Sequence, residues 1–395
     1  MTGVDICMIS PGLLEAGTKR GGGIEEIDYQ VALRLSRYFN VVILSPFYKK
    51  YCKHIRINER LSIEPIYFPA EKNYPPRSRS EMYITPFLIH FYSCLTAMKV
   101  MALRRKKLKL VIVHNGLPGF LSSLLAKIMK IKVIYSEGNV YPWVSPYITP
   151  TKRTLPQKFM YFLNLNTGKR LCKLSDYIRT QSNSIKGGMI NYGIDSAKIR
   201  VINGGVDVNR FKLISKMNHQ CNAIRVGFIG RLTDEKGVPL LLEVVHKAIK
   251  DSLDVRFVIM GDGPYKQYFS NLPNVEHFGF VPRDELNLWL SKVQIVLFFQ
   301  KELGLAELEA MASGKAIVAC DVGEVSQIIK HLENGILCTP DARSYIDAIK
   351  RLCEDPSLLK GVSRKARETA VKCFSWDIIG CNWLSLCVEC LKEEV

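Results

Sequence analysis

Two cations, Arg231 and Lys236, stand five residues apart in "GRLTDEKG" (230–237), after the apolar run Val226-Gly227-Phe228-Ile229 and before a helical pattern that opens at Pro239. A loop that leaves a buried strand and enters a helix offers unpaired backbone N–H groups at the positive end of the helix dipole. Pro239 suits an early helical position, where its missing N–H costs nothing. Two added cations fit such a loop for a phosphate or diphosphate, with each charge-assisted hydrogen bond worth about 1.5–3 kcal/mol. Taken alone, the loop admits a second reading, in which both cations are solvated or paired with Asp234 and Glu235.

Other stretches carry chemistry of the same kind. "GDGP" (261–264) follows the strand pattern Arg256–Met260 and places a sharp turn at Gly261, a weak signal in isolation. Three glycines, 21–23, open an amphipathic helix pattern and would let an anion or sugar approach the backbone closely, although a glycine run also serves as a plain flexible loop. The stretch 301–329 sets Glu302, Glu307 and Glu309 around Gly304 at another strand-to-helix junction. Glu307 and Glu309 are two apart on a helix, so they point in different directions and cannot both face one ligand. A buried carboxylate there could accept two hydrogen bonds from a vicinal diol such as a ribose; the plainer alternative is an acid complementing the helix dipole.

These loops need elements to hold them. Short runs apolar on both faces alternate with longer helical patterns: Val4–Ile9, Val41–Leu44, Leu110–Val113, Val133–Tyr135 and Tyr177–Thr180 in the first half. The second half repeats the rhythm with Val226–Ile229, Arg256–Met260, Ile295–Phe299, Ala316–Ala319 and Gly335–Cys338. That alternation predicts a parallel sheet covered on both sides in each half, an α/β fold of the open, doubly wound kind. A boundary is expected within the polar, Gly- and Asn-rich stretch 201–223, after which the rhythm restarts. The expected division is 1–205, 206–375 and a last helix, 376–395, packing back on the first domain.

At 395 residues the chain can bury two cores, and 47% hydrophobic with 23% charged residues excludes disorder as its main state. Its twelve cysteines lack framework spacing, which with no expected secretory leader suggests a reducing compartment. The lone C-x-x-C, Cys387 to Cys390, has no second pair to complete a metal site. Segment 82–107 is apolar, but Pro86, His90 and Lys99 leave it short of a spanning helix. Charge is asymmetric: residues 1–212 carry 33 Lys and Arg against 13 Asp and Glu, the remainder 22 against 24. A basic first half calls for a polyanionic partner, such as an acidic membrane surface, a phosphorylated lipid or nucleic acid.

With these motifs in order, the sequence resembles the family-4-type retaining glycosyltransferases of the GT-B fold. The resemblance rests on "GGGIEE", "KIRVINGGVDVNRF" (198–211), "GRLTDEKG", "GDGP", "NVEHFGFVPRDEL" (274–286) and "GLAELEAMASGKAIV" (304–318), in the family's order and spacing. It implies two Rossmann-like domains facing each other across a cleft, the first binding acceptor and the second nucleotide-sugar. It further implies that Arg231 and Lys236 hold the donor diphosphate and stabilise it as it leaves. Glu309 matches the second acid of the family's E-x7-E motif, on the ribose hydroxyls. Gly304, Leu305 and Ala306 supply amides to phosphate and sugar, Val281 lies in the base pocket, Gly261 lies in the donor site, and Gly22 and Gly23 belong to the loop over the donor.

Two departures stand out. Lys301 occupies the position of the first acid, with Glu302 beside it as the residue that takes over its catalytic role if the loop shifts by one. Glu137 stands where many members carry a histidine facing the sugar, so Glu137, Asn139 and Lys301 are candidates for contact with donor sugar or acceptor. The resemblance implies a nucleotide-diphosphate sugar as donor substrate, no cofactor and no metal, there being no D-x-D motif. The expected acceptor is a lipid-linked glycan or other envelope glycoconjugate, reached by a cytoplasmic enzyme peripheral on an anionic membrane face, with Arg104–Lys107 and Lys109 as contacts. Nucleic acid is not expected, because no helix-turn-helix or RNA-binding aromatic motif accompanies the charge. The alternative function is a nucleotide-sugar-binding protein with impaired turnover, motivated by Lys301.

Overall fold

The computed structural model describes residues 3–10, 23–47, 54–67, 79–114, 116–138, 155–213, 223–300 and 303–392. By packing, the chain divides into two units: residues 1–203 with 379–395, and residues 204–378.

The N-terminal unit is built on strands β1 (Ile6–Ile9), β2 (Val41–Phe47), β3 (Ile55–Arg56), β4 (Leu61–Tyr67), β5 (Leu110–His114), β6 (Lys132–Glu137), β7 (Tyr177–Thr180) and β8 (Ile199–Val201). Their order is β3-β4-β2-β1-β5-β6-β7-β8, parallel except for the antiparallel pair β3–β4. Helices α1 (Gly23–Leu35), α2 (Arg79–Arg104), α3 (Gly116–Ile128), α4 (Leu155–Leu174) and α5 (Asn183–Asn191) link them. Cys7, Ile9, Val42, Leu44, Val111, Val113 and Val133 pack with Val100 and Leu103 of α2 and Ala126 of α3.

The C-terminal unit holds β9 (Ile224–Ile229), β10 (Val255–Met260), β11 (Val275–His277), β12 (Ile295–Phe298), β13 (Ala316–Cys320) and β14 (Ile336–Cys338), in the order β11-β10-β9-β12-β13-β14, all parallel. Its helices are α6 (Val238–Lys250), α7 (Leu286–Ser291), α8 (Leu305–Ala312), α9 (Val325–Ile328), α10 (Ala342–Glu354) and α11 (Pro356–Phe374). The last helix, α12 (Trp376–Lys392), passes into the N-terminal unit at Ile379. There Arg200 and Tyr177 reach its Glu389 at 2.5 and 3.1 Å.

The sheet of the C-terminal unit shows why its strands read as unbroken apolar runs. Phe257 and Ile259 join a core under α6 and α10, while Val258 and Met260, on the alternate face, join another with α8 and α11. Helix α6 buries Val238, Leu241, Val244, Val245 and Ala248 along one stripe, each larger side chain contributing about 1.5–3 kcal/mol. Pro239 sits in its first turn, as its fixed φ favours.

Four strands escape the apolar-run signal, among them the two-residue edge strand β3. β4 reads Leu-Ser-Ile-Glu-Pro-Ile-Tyr, with polar residues among the apolar ones, and β11 and β8 are three-residue strands at sheet edges. Among the described residues no helix is long and apolar enough to cross a membrane.

Candidate active site

In the C-terminal unit the chain runs outward from β9 to β10 and β11, then returns to β12 on the other side of β9. At such a reversal the loops leaving two neighbouring strands diverge, and ligands of open parallel sheets settle there.

Three motif loops are bonded together beside this point. Gly230 N–H donates to the Met260 carbonyl at 3.0 Å, Leu232 N–H to that of Asp262 at 2.9 Å and Gly261 N–H to that of Gly279 at 2.7 Å. A Cβ at Gly261 would stand 1.8 Å from the Gly230 carbonyl oxygen, so only glycine lets "GDGP" touch "GRLTDEKG". Tyr265 O–H donates to Asp234 Oδ1 at 2.5 Å and fastens the two loops a second time.

The structure treats the two cations differently. Arg231 is exposed, its guanidinium 3.1 Å from Glu235 Oε2 in an i,i+4 pair that water screens to little net strength. Lys236 is half-buried at the end of a single 3-10 turn, and its Nζ donates to Gln300 Oε1 at 2.5 Å. Gln300 follows β12, across the reversal, and its Nε2 donates in turn to Glu307 Oε1. The second reading of the loop therefore describes Arg231, and not Lys236.

Glu307 and Glu309 are both buried and diverge, as their spacing requires. Glu307 faces the Lys236–Gln300 chain, whereas Glu309 pairs with Arg283 from the loop after β11. Burial pushes the Glu307 carboxyl above its ordinary range; the Lys236 charge, the N–H groups of Glu307 and Gly304, and the Gln300 amide pull it back. Gly304 is the N-cap of α8 in extended backbone and has no side chain of its own to cap it, so Gly304, Leu305 and Ala306 form the mouth of the helix, with Glu307 in its first turn. Val281 is half-buried against the core beneath α8, and Gly23 opens α1.

Gly22, Asn139, Lys301 and Glu302 lie outside the described residues. Glu137 ends β6 and is buried, accepting from Tyr135 O–H at 2.5 Å; burial and that carboxylate push the Tyr135 hydroxyl well above its usual range.

Sequence reading missed two groups of residues. Gln300 lies 64 positions from Lys236, and its one local signal was its place at a strand end. In the N-terminal unit, His114 Nδ1 lies 2.5 Å from Asp28 Oδ1, and its Nε2 lies 2.6 Å from Ser136 Oγ. This acid–imidazole–hydroxyl order matches a nucleophilic triad. All three side chains are buried, however, and Arg179 NH1 closes on Ser136 Oγ at 3.4 Å, so the chain clamps α1 to β5 and β6.

Two family profiles match the chain, "Glycosyltransferase Family 4" over residues 21–210 and "Glycosyl transferases group 1" over 223–355. The chain belongs to this glycosyltransferase family. An uncharacterized glycosyltransferase of Methanocaldococcus jannaschii is 27% identical over 221 residues, 51% of this chain and 56% of that one. The chain spans about half the length of the first curated relatives it matches. Sucrose-phosphate synthase of Thermosynechococcus elongatus is similar in fold, with a TM-score of 0.74 at 17% identity over 98% of both chains. The HepE protein of Anabaena, solved in complex with UDP-glucose, has a TM-score of 0.69 at 17% identity, over 98% of this chain and 100% of that one. The fold is accordingly that of the GT-B glycosyltransferases, with two parallel-sheet α/β units.

Proposed function

We propose that this glycosyltransferase moves a sugar from a nucleotide-diphosphate sugar to an acceptor hydroxyl, with retention at the anomeric carbon. The observation that carries the reading is Lys236, drawn toward the mouth of α8 at the sheet reversal, where helix N–H groups and an ammonium converge. As the C1–O bond breaks, negative charge grows on the departing diphosphate. Lys236, the α8 amides and Arg231, freed from a weak surface pair, would bind that charge better in the transition state than in the ground state. Glu309 takes the ribose hydroxyls, and the reading assigns the charge on the diphosphate to protein cations rather than to a metal ion. Similarity to a protein solved with UDP-glucose supports a nucleotide sugar as the donor.

The acceptor in this reading is a lipid-linked glycan at an anionic membrane surface. Arg104, Arg105, Lys106 and Lys107 are all exposed at the end of α2, and the same helix shows Phe91, Met98 and Met101 to solvent. An apolar stripe ending in a basic cluster suits the interface of an anionic leaflet. Sedimentation with anionic and neutral vesicles tests this; equal, salt-insensitive binding to both would remove the membrane from the account.

A thermal-shift screen of UDP-, ADP- and GDP-sugars tests the donor, since a ligand at a hundred times its Kd stabilises by about 2.7 kcal/mol. Lys301 at the first acid position favours one other reading, donor binding without turnover. Tight binding with no release of nucleoside diphosphate, across lipid and glycan acceptors, would select it.

A further inference from the structure

Glu307 is an acid in a place that should repel its own ligand. It stands in the first turn of α8, and a Cβ at Gly304 would meet its Oε2 at 2.8 Å, so the carboxylate lies folded back over the helix mouth. Its Oε1 accepts from Gln300, which in turn accepts from Lys236 Nζ, while the backbone N–H groups of Gly304 and Glu307 stabilise the buried carboxylate from the helix mouth itself. Among the described residues, Lys236 is the charged group facing it; Glu309, two positions on, is directed to Arg283. A single buried carboxylate thus occupies the helix mouth and, through one amide, the cation that a diphosphate also requires.

We infer that Glu307 is an affinity-determining residue of the donor site: its carboxylate stands where the donor diphosphate seeks positive charge, and the donor binds with Glu307 taking up a proton from solvent. The inference rests on the proposed donor reading. An anion brought to the mouth of α8 adds a like charge beside Glu307, and like charges at short range in a dry site favour the protonated acid. Protonation removes the repulsion and frees Lys236 from holding the amide chain toward a carboxylate. Burial already favours the protonated form, so the site is partly prepared for the exchange.

The sign of the pH dependence follows. The donor binds the protonated form better, so affinity is highest at low pH and falls as pH rises through the Glu307 pKa of the free protein. Nucleotide sugars suit the test because both phosphates of their diphosphate are esterified and do not titrate near neutrality. The probe is whichever of UDP-glucose, ADP-glucose or GDP-glucose gives the largest thermal shift. Calorimetric titration of the full chain, in two buffers of different ionisation enthalpy, reads the protons taken up directly. Close to one proton per donor at neutral pH is expected. Glu307→Gln is expected to bind at least about tenfold more tightly there and to take up none.

Zero uptake by the wild type, with affinity constant across pH, overturns the inference, and so does weaker binding by Glu307→Gln. The proton count needs no variant and stands even where Glu307→Gln fails to fold. Failure of the donor reading itself looks different: no nucleotide sugar binds, or Lys236→Met binds it as well as the wild type.

Discussion

Each unit hides one chain of polar side chains near the carboxyl ends of its parallel strands, and the two differ in exposure. Asp28, His114 and Ser136 are sealed in the N-terminal unit, with the Arg179 guanidinium against the hydroxyl. Lys236, Gln300 and Glu307 form the counterpart in the C-terminal unit, but Lys236 and Gln300 stay half-open to solvent. A sealed polar chain can only fix the positions of the elements it joins. A half-open one, ending on a helix mouth at a sheet reversal, can exchange an internal partner for a ligand. Chemistry resembling a catalytic triad therefore reads as architecture in one unit, and a plainer trio of side chains reads as the site in the other.

The comparison can be broken from either end. Asp28→Ala leaves the His114 imidazole buried without its partner and is expected to cost about 1–3 kcal/mol of stability, measured by urea unfolding. The same variant should retain wild-type donor affinity wherever it is folded. A folded Asp28→Ala protein that no longer binds nucleotide sugars would move the N-terminal chain into the donor site.

Lys236→Ala should do the reverse. A loss of at least about a hundredfold in kcat/KM is expected, with stability changed far less. Replacing Arg105 and Lys106 together by Ala should weaken partition onto anionic vesicles by about thirtyfold, read by sedimentation, since each cation near such a surface contributes on the order of 1 kcal/mol. Donor hydrolysis without vesicles should not change. Arg231→Ala, whose side chain is exposed and only loosely paired, is expected to cost about tenfold in kcat/KM, again with little change in stability.

How much of this was legible follows from the range of the forces involved. Ten strands of the two sheets announced themselves as apolar runs because their residues are buried on both faces; the short edge strands β3, β8 and β11 did not, nor did β4, its alternating pattern broken by Pro65. Pro239 and the glycines of "GDGP" marked loop ends, because backbone constraints are local and a residue type reports them. The divergence of Glu307 and Glu309 followed from helical spacing alone. Their partners did not. The pairings Lys236–Gln300, Arg283–Glu309 and Asp28–His114 join residues brought together only by the fold, and no spacing rule reaches them. For the same reason the sequence left open which of Arg231 and Lys236 was merely paired at the surface.

The most direct test of the account is a crystal structure of the chain with its preferred nucleotide sugar. The diphosphate should lie within hydrogen-bond distance of Lys236 Nζ and the backbone N–H groups at Gly304 and Leu305. A nucleotide bound elsewhere, with Lys236 still on Gln300 and Glu307 still folded over the mouth of α8, would contradict it.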